Sequence, residues 1–324
     1  MYRGRRLRKN KNIRALMRET SLSADDFIYP VFVVEGENIK REIPSMPRNY
    51  HYSLDRLDEV CQEMVDAGLR SILLFGIPDH KDCVGSEAYR EDGIVQRAIA
   101  QIKAHFPQLY VVADVCMCEY TDHGHCGILD EHGYVKNDET LEYLCRIAVS
   151  YANSGVDMVA PSDMMDGHIA ALRDALDTHG YTSLPIMGYS AKYASNYYGP
   201  FREAAHSAPG FGDRKSYQMD YANGREAMRE IEADIEEGVD VIMVKPALSY
   251  LDVVKEASLR YDVPLCVYNV SGEYSMLRYA VDQGLMNEDV IYETLLSMKR
   301  AGADIIITYF ALDIAKQMKE GRYA

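Results

Sequence analysis

No apolar run in this chain approaches the length of a membrane span, and no apolar segment follows the N-terminus as a secretory signal requires. A soluble, cytoplasmic protein is the expectation. Neither a Pro/Ser-rich linker nor a shift in composition divides the chain after residue 26, and low-complexity sequence is absent, so one domain is expected over 27–324. The seven cysteines are odd in number and spread along a chain without a secretion signal, which argues against a disulfide framework. Acid is missing from residues 1–18, "MYRGRRLRKNKNIRALMR", which hold eight Arg/Lys although the whole chain carries −15. Residues 1–26 are therefore read as a basic arm, suited to nucleic acid, to an acidic neighbouring subunit, or to solvent alone. It lacks the interleaved aromatics of a single-strand binder and any zinc-finger or helix-turn-helix pattern, which favours subunit contact.

What is present is length and apolar content: 324 residues, 48% hydrophobic, enough to bury a large core. Short apolar runs rich in β-branched residues lie at 27–34, 71–77, 110–116, 157–162, 184–190, 240–246, 264–270 and 304–310. Amphipathic segments separate them, with Leu57, Val60, Met64 and Val65, or Leu141, Leu144, Ala148 and Val149, spaced for one helix face. Runs apolar on both faces, joined by helices, predict an α/β fold: a closed parallel (β/α)8 TIM barrel. A weak echo repeats in "DAGLRSILLF", "NSGVDMVAPS", "EEGVDVIMVK" and "RAGADIIITY", each a helix end, a glycine stop and a strand.

In such a barrel the chemistry belongs at the C-terminal ends of the strands. Asp114, Cys116, Cys118, Ser162, Lys192, Lys245, Tyr268, Ser271 and Tyr309 all fall there. Cys116, Cys118 and Cys126 form C-x-C-x7-C, with the last brought back by a glycine-bearing loop. Three soft thiolates suit zinc and leave a fourth position open. A four-ligand structural site using His123 or His125, or cysteines that merely share a loop, fits the same spacing. Lysine is seldom buried without a role, and Lys192 and Lys245 end consecutive strands about 4.8 Å apart. Repulsion and desolvation are expected to lower both amines, making them nucleophiles for a ketone; ordinary salt bridges are the alternative. Arg202 and Arg214 bracket a Gly/Pro-rich loop and match a carboxylate, unless that loop is simply solvated. The residues alone reach a Schiff-base enzyme acting on a keto acid. A class I aldolase-like barrel is the competing reading, but it leaves the cysteines unexplained.

Several longer segments then carry a resemblance. "GVDVIMVKPALSY", "DVCMCEYTDHGHCG", "APSDMMDGHI", "YSAKYASNYYGPFREA", "FGDRKSYQM", "YNVSGEY" and "AGADIIITYF" resemble the porphobilinogen synthase (5-aminolevulinate dehydratase) family, in its zinc-dependent branch, over nearly the whole chain. The resemblance implies condensation of two 5-aminolevulinate molecules to porphobilinogen with loss of two waters, in tetrapyrrole synthesis. It implies that Lys192 and Lys245 are the Schiff-base lysines and that Cys116, Cys118 and Cys126 hold a catalytic zinc. It places Arg202, Arg214 and Gln218 on one substrate carboxylate, and Ser271 and Tyr309 on the other. Asp114, Ser162 and Tyr268 become polar residues of the pocket. Glu230 corresponds to an activating, allosteric magnesium site, although an acidic helix face can be solvated without a role. The family's usual homo-octamer, with arms wrapped round neighbours, agrees with subunit contact for residues 1–18.

Overall fold

The computed structural model describes residues 1–323. Ten strands occur in chain order: β1 Phe27–Val34, β2 Lys40–Glu42, β3 Tyr50–Ser53, β4 Ser71–Ile77, β5 Tyr110–Val115, β6 Met158–Pro161, β7 Met187–Lys192, β8 Val241–Lys245, β9 Leu265–Asn269 and β10 Ile305–Thr308. Eight of them run in the order β6-β5-β4-β1-β10-β9-β8-β7, each pair parallel. A parallel bridge between Val159 and Ile186 brings the two ends of that path together, so the barrel is nearly closed. The eight predicted runs are the eight barrel strands. Their ends differ by a few residues: the run at 184–190 becomes strand at Met187 and continues to Lys192, and the run at 304–310 stops at Thr308.

Each barrel strand is buried almost throughout, as expected where a sheet wall faces side chains within and helices without. The outer helices present one apolar stripe to that wall. In Leu54–Ala67 the buried residues are Leu57, Val60, Cys61, Met64 and Ala67, three and four apart. The glycine stops of the sequence echo are left-handed: Gly68 at φ 86° and Gly155 at φ 90°, a conformation in which a Cβ would be strained.

The antiparallel pair β2–β3 is the one addition to the expected strands. β3 also pairs in parallel with the end of β1, Phe32 opposite His51. Lys40–Glu42 is exposed and polar, so no burial pattern marked it; the strand exists because β3 supplies its hydrogen bonds. At the N-terminus a short 3-10 turn, Gly4–Arg8, and a helix, Lys11–Leu16, bury no residue. No helix among the described residues is long and apolar enough to cross a membrane.

Candidate active site

β7 and β8 end in register, with Lys192 directly opposite Lys245. Both are buried because inward-facing positions at the barrel mouth are roofed by the segments that follow the strands. The Lys245 amine lies among aromatic faces, 4.4 Å from the centre of Tyr268, 4.8 Å from Tyr189, 5.3 Å from Tyr198 and 5.4 Å from Phe201. Burial, then the Lys192 charge, push it down to about 7. The Lys192 amine donates to the Ser162 carbonyl. Here the expectation of two lowered amines is corrected. Burial pushes Lys192 down, but the charges of Cys126, Cys116 and Cys118 outweigh it and hold the amine above its ordinary value. Those thiols come from the segment after β5, so neighbouring in the sheet did not decide the sign.

The thiols of Cys116, Cys118 and Cys126 lie within 4.8 Å of one another, all buried, with Cys116 and Cys118 sulfurs 3.4 Å apart. Hydrogen bonds from Cys116 and Cys118 hold the Cys126 thiol well below its ordinary value, while those with Cys118 and Cys126, and then burial, push Cys116 well above its own. The donor set is soft and convergent, and it fits a thiophilic divalent ion. Histidine is not part of it. His123 Nε2 faces the Cys83 carbonyl at 3.4 Å; His125 uses Nδ1 on the Tyr217 hydroxyl and Nε2 on the Phe211 carbonyl, both at 3.1 Å. The histidines shape the loop, and Gly124 lets it close: a Cβ there would sit 2.4 Å from the Ala208 carbonyl oxygen.

The lysines and Cys118 line one small cavity with Phe75, Asp114, Glu119, Ser162, Tyr198, Phe201, Arg202 and Arg214. Asp114 accepts from the Ser162 hydroxyl at 3.0 Å and is pushed up to about 7, first by burial. Its second carboxylate oxygen has no partner. Arg214 donates to the carbonyls of Gly124 at 2.9 Å and Ser207 at 2.6 Å, tying the cysteine loop to the 199–214 segment. The Nε atoms of Arg202 and Arg214, and both amide atoms of Gln218, are buried without a hydrogen-bond partner in the protein. On the Lys245 side, the hydroxyls of Tyr268 and Tyr309 are 3.0 Å apart, and Ser271 Oγ accepts from the Phe201 amide at 2.9 Å.

Not every expected residue lines this cavity. Gln218 and Glu230 line a separate one with Asp166 and Glu226. Glu230 is held above its ordinary value by burial and then by Asp166, Glu226 and Asp234. Glu119 was missed. It is buried, 3.3 Å from the Cys118 sulfur, and pushed up to about 8, first by burial. Its place directly after the C-x-C pair was the available signal.

The family model for "Delta-aminolevulinic acid dehydratase" matches residues 1–317. The chain belongs to that family. It is 55% identical to the delta-aminolevulinic acid dehydratase of Halalkalibacterium halodurans, over 98% of this chain and 97% of that one. With the Bacillus subtilis strain 168 protein of the same name it shares 53% identity, over 98% of each chain. A crystal structure of the Toxoplasma gondii ME49 delta-aminolevulinic acid dehydratase (porphobilinogen synthase), in complex with the reaction product porphobilinogen, superposes with a TM-score of 0.97. Identity there is 44%, over 99% of this chain and 92% of that one. As a delta-aminolevulinic acid dehydratase family member, the chain is an enzyme of the lyase type with porphobilinogen synthase function.

Proposed function

We propose that this chain joins two 5-aminolevulinate molecules into porphobilinogen through imines on Lys192 and Lys245, beside a zinc held by Cys116, Cys118 and Cys126. The observation that carries this reading is one cavity lined by two buried lysines in register and by Cys118, whose thiol converges with those of Cys116 and Cys126. Each amine adds to a substrate ketone and the oxygen leaves as water, two waters in all. One carbon–carbon and one carbon–nitrogen bond then form between the substrates, and both lysines are released as amines. Arg202 and Arg214, with their unpartnered Nε atoms, take one carboxylate. Ser271 and Tyr309 take the other beside Lys245, whose aromatic walls exclude water. Asp114, held up to about 7, and Ser162 accept and return protons at the reacting carbons, with Tyr268 packed over the Lys245 amine.

When bound, the zinc supplies a Lewis acid for a substrate oxygen or amine. The exposed basic arm supports the remainder of the reading, a cytoplasmic homo-octamer in which residues 1–26 grip a neighbouring copy. Glu230, among acidic neighbours in a cavity apart from the lysines, offers oxygen ligands to an activating magnesium ion.

The direct test is to incubate reduced, zinc-loaded protein with 5-aminolevulinate and assay for a pyrrole, with and without chelator. Pyrrole that vanishes on chelation and returns with zinc is expected. No pyrrole from a folded, metal-loaded oligomer would overturn the reading. A pH series adds a second expectation. Lys245 attacks only as the neutral amine, and its value is pushed down to about 7, so imine formation rises with pH up to about 7 and levels off above. Below 7 the borohydride-trapping rate is expected to fall about tenfold per pH unit. A flat rate between pH 5 and 7 would contradict a titrating Lys245.

A further inference from the structure

Glu273 has no exposure, yet every group around its carboxylate is a donor. Oε1 accepts from the Leu248 amide at 2.7 Å. Oε2 accepts from the Asn269 side-chain amide at 2.9 Å and from the Val270 amide at 3.1 Å. Asn269 Oδ1 accepts in turn from the Thr308 hydroxyl at 2.8 Å, and that hydroxyl accepts from the Phe310 amide at 3.2 Å. The chain of bonds thus touches the segment just after Lys245, the turn leading into Ser271, and the two residues flanking Tyr309. Lys245 is held from its other side as well: its carbonyl accepts from the Tyr193 amide at 3.0 Å and the Tyr198 hydroxyl at 3.3 Å.

A glutamate in the first turn of a helix commonly caps that helix, and the Val270 bond does so. The Leu248 bond is different in kind, because it reaches another loop 25 residues away in sequence. We propose that Glu273 is a positioning residue that holds Lys245, Ser271 and Tyr309 in mutual register, so that one substrate's ketone meets the amine while its carboxylate is bound. This rests on the Schiff-base reading of Lys245. The residue type follows from the surroundings. Three donors converge on it and no acceptor does, so only an acceptor-only group satisfies them all. Burial pushes the carboxyl up and these donors draw it part of the way back, leaving it at about 7.

Glu273→Gln keeps the size but turns an NH2 toward Asn269 and Val270, donor against donor. In the metal-loaded, full-length oligomer, borohydride trapping of 5-aminolevulinate on Lys245, mapped by peptide mass and counted per folded subunit, is expected to slow at least tenfold. Zinc content should be unchanged. Asn269→Asp added to that variant puts an acceptor opposite the new NH2 and is expected to recover part of the rate. A residue that only caps its helix would lower the melting temperature and leave trapping per folded subunit at the wild-type rate, and that result would overturn the proposal. If Glu273→Gln does not fold, Thr308→Val removes the far link at nearly constant volume; slower Lys245 trapping supports the proposal and an unchanged rate overturns it. Absence of any Lys245 adduct in the wild-type enzyme is a separate outcome, which removes the Schiff-base reading and the proposal with it.

Discussion

Lys245→Met is expected to lose roughly 10⁴-fold of turnover, about 5.4 kcal/mol of transition-state stabilisation, with zinc content and far-ultraviolet dichroism unchanged. Methionine fills the space between Tyr189, Tyr198, Phe201 and Tyr268 with an uncharged chain of similar length, so packing there is retained. The imine is what disappears. Lys192→Met is expected to cost a similar factor, with an additional signature. The Lys192 charge helps to hold Lys245 down, so its removal lets the Lys245 amine move up, and the acid limb of trapping on Lys245 shifts to higher pH. Pyrrole formation and peptide mapping of borohydride adducts measure both. Full activity in Lys245→Met would remove that lysine from the chemistry.

Cys126→Ala should weaken zinc binding and, with it, the rate. Four ligands in structural zinc sites supply about 10–16 kcal/mol, so one of them carries on the order of 3 kcal/mol, or about 10²-fold in affinity. Zinc per subunit after dialysis and activity against free zinc report the loss, and excess zinc is expected to restore part of the rate. Cys61→Ala is the control. Its thiol lies in the helix stripe Leu54–Ala67, pushed up to about 12 by burial and then by Asp58, and takes no part in the trio. A Cys126→Ala enzyme with full zinc and full rate would refute the three-thiolate site. The same substitution also removes a negative charge that holds Lys192 up, so the two sites are electrostatically linked and their losses should not simply add.

Much of the architecture was legible because burial leaves a periodic trace along the chain. A strand walled on both faces reads as an unbroken apolar run, an outer helix as residues three and four apart, and a helix end as a glycine free to turn left-handed. β4 coincides with its predicted run at both ends, and the lysines and the C-x-C pair were legible at strand ends, with Cys126 returned by the loop that follows. β2 left no such trace, since Lys40–Glu42 buries nothing and is held by its partner. Gln218 and Glu230 carried recognisable contexts but no spacing that could place them in a cavity of their own.

By itself the sequence determined the barrel, its strand order along the chain, and which residues crowd its C-terminal mouth, because those follow from short-range periodicity and from side-chain chemistry. The tertiary structure alone decided that β6 meets the approach to β7, that Glu119 borders the thiols, and that Glu273 anchors a loop on another strand. It also decided that Lys192 is held up while Lys245 is pushed down. The reason is physical: an amine's charge responds to every group within a few ångströms, and those groups come from chain segments whose separation in sequence says nothing of their distance in space.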